Sequence, residues 1–127
     1  MIKAKVIKCC GKVVDVEIEN LKDMQQAVDG YIESLGIDPK HDVTVYCNEE
    51  GRVKELPINM TACLWLLRNN MYPSLEYPIH GDVLVVGMCD DEGKDTDIPV
   101  SVEIKEMWVE PSFEILTGDE AKKYMGF

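Results

Sequence analysis

Apolar and polar residues alternate in two short runs near the N-terminus. Ile2, Ala4 and Val6 are separated by Lys3 and Lys5, and Val14, Val16 and Ile18 by Asp15 and Glu17, so each run predicts a strand with one dry face. Cys9-Cys10-Gly11-Lys12 lies between them. A three-residue Cys10-Gly11-Lys12 loop would set Lys5 opposite Glu17, Lys3 opposite Glu19 and Val6 opposite Val16. A two-residue loop would set the lysines against valines, so the first register is the expected one. Asn20 then caps a helix over Leu21 to Val28, with Asp23 in its first turn, Leu21, Met24 and Val28 on one face, and Gly30 as its stop.

The period returns to two in Tyr31 to Leu35, a short strand expected before a turn from Gly36 to Asp42, and again in Val43 to Cys47. Asn48-Glu49-Glu50-Gly51 reads as a hairpin turn, with Arg52 to Leu56 returning as a strand. A helix is expected from Asn59 or Thr61 to Arg68. Met60, Cys63, Leu64 and Leu67 form its stripe, while Trp65 and Leu66 carry apolar character to a second side. Such a helix is either sandwiched in the core or shows an apolar patch to a partner.

The stretch from Asn69 to Gly81, with Tyr72-Pro73 and Tyr77-Pro78, is an extended or turned loop. Val83 to Val86 is apolar on both faces, which places that strand centrally in a sheet. Asp90 to Asp97 is an acidic loop around Gly93, and Pro99 to Ile104 alternates as another strand. Trp108, Val109 and Phe113 to Leu116 follow, and Thr117 caps a last short helix over Gly118 to Met125. The pattern as a whole predicts one α+β domain over residues 1–127, a mainly antiparallel sheet with two or three helices packed on it.

Composition changes this picture little. A chain of 127 residues with 46% apolar and 29% charged residues can bury an ordinary core. No apolar run is long enough to cross a bilayer, the first residues do not form a secretory core, and the five cysteines include no C-x-x-C pair. A reducing, cytoplasmic setting is expected, with no membrane association.

Charge matters more. The net charge of -11 repels a phosphate backbone and argues against direct nucleic-acid binding. It serves solubility, or it meets a basic partner.

The chemistry-bearing residues form few constellations. Ser34, Ser74, Ser101 and Ser112 lie in no nucleophile motif, and His41 and His80 read as solvated loop residues. Adjacent Cys9 and Cys10 are too close for zinc chelation, and the carboxylates of residues 90–97 lack the spacing of a calcium loop. Phosphate-cradling glycine motifs are missing, and no cofactor is expected. A polar cluster of Tyr46, Asn48 and Arg52 around one hairpin is the candidate for a small-molecule or nucleotide site, against the alternative that it dresses a turn.

Four segments, Gly30-Tyr31-Ile32-Glu33, Val45 to Gly51, Leu56-Pro57-Ile58-Asn59 and Gly81 to Gly87, together with the ending Phe113 to Glu120, resemble in order and spacing the family called domain of unknown function 3846. Residues 60–80 and 98–111 look like elaborations on that pattern. The resemblance implies a context, small proteins of bacteriophages, conjugative elements and gut bacteria, and no reaction. It points to Gly30, Tyr31, Glu33, Asn48, Glu50, Gly51, Pro57 and Asn59, mostly turn and cap residues.

Two functions follow from these readings. The first is a non-enzymatic accessory protein that binds a host or element protein, with Trp65 and Leu66 in its contact surface and self-association left open. The second is a small-molecule or nucleotide binder, or a minor enzyme, using Tyr31, Glu33, Tyr46, Asn48, Glu50, Arg52 and Asn59.

Overall fold

A computed structural model describes residues 1–38, 42–68 and 79–106. The expectations for His41, for the Tyr-Pro pairs, for Trp108 to Leu116 and for the last helix lie outside these residues. Strands β1 (Ile2–Ile7) and β2 (Val13–Ile18) form the expected antiparallel hairpin, in a different register. Lys3 faces Glu17, Lys5 faces Asp15 and Val6 faces Val14. The loop is Cys9-Cys10-Gly11, closed by the Lys8 N–H donating to the Lys12 carbonyl at 2.8 Å, because Gly11 takes the left-handed position (φ 97°) that ends such a turn. Sliding the loop by one residue shifts the pairing by two, so every side chain keeps its face. Lys5 Nζ lies 2.9 Å from Asp15 Oδ1.

Helix α1 (Leu21–Val28) is capped as expected. Asn20 Oδ1 accepts from the Asp23 N–H at 3.0 Å, and the Asp23 carboxylate accepts from the Glu19 N–H at 2.9 Å. Met24 and Val28 are buried, but Leu21, at the first position of the helix, is 56% exposed. The stop also differs. Asp29, not Gly30, adopts the left-handed conformation (φ 59°), while the Asp29 and Gly30 N–H groups donate to the Gln26 and Gln25 carbonyls. A short carboxylate side chain tolerates that backbone, which leaves Gly30 serving another purpose.

Strand β3 (Ile32–Asp38) runs past the expected turn at Gly36 through a bulge between Ser34 and Gly36, and pairs with β4 (Val43–Asn48). No strand returns over Arg52 to Leu56. Those residues coil into turns, with the Lys54 N–H donating to the Glu50 carbonyl and the Leu56 N–H to the Gly51 carbonyl at 2.8 and 2.9 Å. The reason is topological: β4 already has β3 on one side and β5 (Val83–Gly87) on the other, so a returning strand finds no free edge.

The sheet order is β2-β1-β5-β4-β3, all neighbours antiparallel. β5 is central, as its two apolar faces predict, and Val83 to Val86 are fully buried. Leu84 and Val86 meet Met24 and Val28 of α1 on one face. Val83 and Val85 meet Cys63 and Leu66 of α2 (Met60–Arg68) on the other. Helix α2 is thus the sandwiched one, with Met60, Ala62, Cys63, Leu64, Trp65 and Leu66 all buried.

Residues 99–104 form no strand. Val100 and Ser101 make a turn, the Val102 N–H donates to the Pro99 carbonyl at 3.1 Å, and the apolar alternation instead seats Ile98, Val102 and Ile104 against the α2-side core. The architecture is α+β, with two helices among the described residues. No helix among them is long and apolar enough to cross a membrane.

Candidate functional site

The residues expected to form a polar cluster are separated by the sheet. Ser34 faces Tyr46, Ile32 faces Asn48, and Glu33 faces Cys47. Successive side chains of a strand alternate in direction, so Tyr46 and Asn48 lie on the α1 face and Glu33 on the opposite one. Tyr31 is 64% exposed and Arg52 is also on the surface. Glu50 makes an ion pair with Lys54 at 3.4 Å, with both side chains about half exposed, a contact of small energetic worth.

Asn48 and Asn59 are buried joints. Asn48 Nδ2 donates to the Val28 and Asp29 carbonyls at 3.0 Å each, and its Oδ1 accepts from the Glu50 N–H at 2.8 Å. The side chain therefore ties the end of β4 to the carbonyl end of α1. Asn59 caps α2 by accepting from the Ala62 N–H at 3.0 Å. Its Nδ2 donates to the carbonyls of Ile7 at 2.7 Å and Gly81 at 3.0 Å. Trp65 and Leu66, read as a contact surface, are 7% and 1% exposed and face the interior. An α-helix with apolar residues all round is buried all round.

His80 also differs from expectation. It is buried rather than solvated, because its Nδ1 lies 2.8 Å from the Leu56 carbonyl, which makes that nitrogen the protonated donor. Burial pushes the Cys9 and Cys47 thiols up to about 12 and Cys63 to about 11, so these are neutral thiols rather than thiolate nucleophiles. Burial and the Asp95 carboxylate likewise push Tyr46 up to about 12. Its hydroxyl lies 3.1 Å from both carboxylate oxygens, holding the acidic loop against β4. In that loop Asp90 Oδ1 accepts from the Glu92 and Lys94 N–H groups at 2.9 Å each, which spends the carboxylate on its own turn. Among the described residues no three His, Cys, Asp or Glu side chains are grouped to hold a metal ion.

A different concave surface is present. The chain after the acidic loop returns to β1, where the Lys3 N–H donates to Asp97 Oδ1 at 2.7 Å and the Ile98 N–H to the Lys3 carbonyl at 2.9 Å. It then turns at Val100 over the sheet and leaves a groove of about 720 Å³. One wall is Ile98, Pro99, Val100 and Val102. The other is the β1–β2 face carrying Lys3, Lys5, Asp15 and Glu17. Val100 is fully exposed at its rim, and the Asp15 side chain is 84% exposed. The cross-strand lysine and carboxylate pattern was visible in the sequence, but the apolar wall exists only because Asp97 and Ile98 bond to Lys3, a contact across 94 residues. A smaller hollow of about 300 Å³ lies at the end of α2, between Arg68 and Trp65 and the segment Glu103 to Glu106.

The family model described as domain of unknown function, DUF3846, matches residues 2–109. The chain belongs to the DUF3846 family. The DUF3846 match covers both walls of the groove, the buried Asn48 and Asn59, and the whole described sheet. It also runs through residues 60–80 and 98–109, which the motif-based resemblance treated as elaborations, and stops before the Phe113 to Glu120 ending. No curated protein and no solved structure matches the chain significantly.

Proposed function

We propose that this DUF3846 protein is a small acidic accessory protein of a phage or other mobile element that works by binding a partner protein, and that the partner sits in the groove between β1–β2 and residues 98–102. The groove carries this reading. It joins an apolar rim, the exposed Val100 beside a half-buried Pro99, to a row of surface charges, the combination of apolar centre and polar border on which protein contacts are built. The net charge of -11 favours a basic partner and works against nucleic acid. The mobile-element setting follows from the resemblance to the family.

The groove reading is tested by placing a photo-crosslinking residue at Val100 and, as a control, at Lys22 on exposed α1, then irradiating each protein in bacterial lysate. Adducts formed from Val100 and not from Lys22 support the reading. Equal patterns from the two positions, or none from Val100, overturn it.

A small polar ligand is the second reading, supported by a volume that lies within the range of small-molecule sites. A thermal-shift screen of nucleotides and amino acids checks it, since a ligand of the native state raises the melting temperature.

A further inference from the structure

We infer that β2 takes up an extended partner segment as a sixth strand, and that the segment it selects alternates lysine or arginine with apolar residues. The inference rests on the reading of the groove as a partner site and specifies how that site is filled.

The backbone directions follow from the pairing. The Lys3 carbonyl accepts from Ile98, so Lys3 and the alternate residues Lys5 and Ile7 turn their backbone groups away from β2. Ile2, Ala4 and Val6 turn theirs toward it and bond Ile18, Val16 and Val14. Among the described residues β2 pairs with β1 alone, so Val13, Asp15 and Glu17 direct N–H and C=O groups outward from the sheet. A strand added there places the residues opposite Asp15 and Glu17 on the groove side, next to those two carboxylates. Its alternate residues fall beside Val14 and Val16, which are only partly buried.

The partner's pattern is already present on the other side of β2. Lys3-Ala4-Lys5-Val6 sets its lysines against Glu17 and Asp15 and its small apolar residues against Val16 and Val14. The outer edge offers the same two carboxylates and the same two valines to a second segment of that kind, and the Asp15 side chain remains mostly in water. The apolar wall of Pro99 and Val100 is available to the aliphatic stems of long basic side chains. A second copy of this chain is a poor occupant: β2 against β2 sets acids against acids, and each copy carries a net charge of -11. The charges that keep the edge from pairing with itself are those that select a basic strand.

The test uses the full chain and an acetylated, amidated heptapeptide of alternating lysine and valine. Three further peptides serve as comparisons: one with glutamate for lysine, one with its lysines and valines in two blocks, and one N-methylated along a single edge. The alternating peptide is expected to bind and to shift the Asp15 and Glu17 amide resonances. Binding is expected to weaken by about tenfold or more with the acidic, block or N-methylated peptide, and likewise for the D15N/E17Q protein. Binding of the block or N-methylated peptide within about twofold of the alternating one, or undiminished binding by D15N/E17Q, overturns strand addition. If Val100 still gives specific adducts in that case, the groove reading survives without it. If Val100 gives none while the alternating peptide binds at β2, the groove reading fails alone.

Discussion

Gly30 leaves the space that Asn48 fills: a Cβ on Gly30 would lie 2.5 Å from Asn48 Nδ2, the atom that donates to the Val28 and Asp29 carbonyls. The glycine is demanded by this approach and not by the helix stop, which Asp29 supplies. Nothing about a turn explains the pair. It is a joint between α1 and β4.

This joint predicts a specific non-additivity. Asn48→Ala strips two helix-end carbonyls and the Glu50 N–H of their buried partner, a loss of about 2–3 kcal/mol. Gly30→Ala forces the Asn48 amide aside and loses part of the same bonds. Urea unfolding of the single variants and of G30A/N48A should show the double variant losing clearly less stability than the two single losses added together, because the added Cβ has nothing left to displace. Simple additivity would mean that the two residues do not share one joint.

Tyr46 predicts how stability depends on alkaline pH. Its folded pKa is raised from 10.0 to about 12, so its share of stability is complete below pH 10 and is lost as pH climbs from 10 toward 12. The buried thiols of Cys9, Cys47 and Cys63, raised from 9.0, add to the decline in the same direction from about pH 9 upward. Tyr46→Phe should flatten the fall between pH 10 and 12 in denaturation midpoints. Its tyrosinate absorbance difference from the parent should rise near pH 12.

The cysteines should differ sharply in reactivity. Cys89 is exposed, whereas Cys9, Cys47 and Cys63 are buried and neutral. An aromatic disulfide reagent at pH 8 should modify Cys89 in the folded protein and reach the three buried thiols only after denaturant is added. Peptide mapping after a short exposure distinguishes this from uniform labelling.

Much of the fold was legible in the residues because the deciding interactions are local or periodic. Asn20 and Asp23 define the start of α1 within four residues, and Val83 to Val86 declare a strand buried on both faces. The antiparallel sheet and the lysine–carboxylate pairing of β1 with β2 follow from alternation. Even the mistaken register kept every face, since it was wrong by an even step.

Where local pattern misled, a distant partner had decided. Arg52 to Leu56 resembles a returning strand, but β5 occupies the edge it would need, and residues 99–104 alternate like a strand while packing as a strap on the core. The apolar second side of α2 fits an interior, or else a patch for a partner, and it is the sheet packed against it that makes it interior.

The candidate site divides the same way. By sequence Asn48 and Asn59 are turn or cap residues and candidates for binding; their amides instead satisfy backbone groups 20 and 52 residues away. By itself the sequence determined the acidic charge, the strand faces, the helix caps and the central place of β5, all set by neighbours within a turn or by a period of two. Only the tertiary structure decided that Tyr46 and Glu33 stand on opposite faces, that Trp65 is inside, and that Ile98 returns to Lys3 to raise one wall of a groove. Those contacts join residues whose separation along the chain leaves no periodic trace.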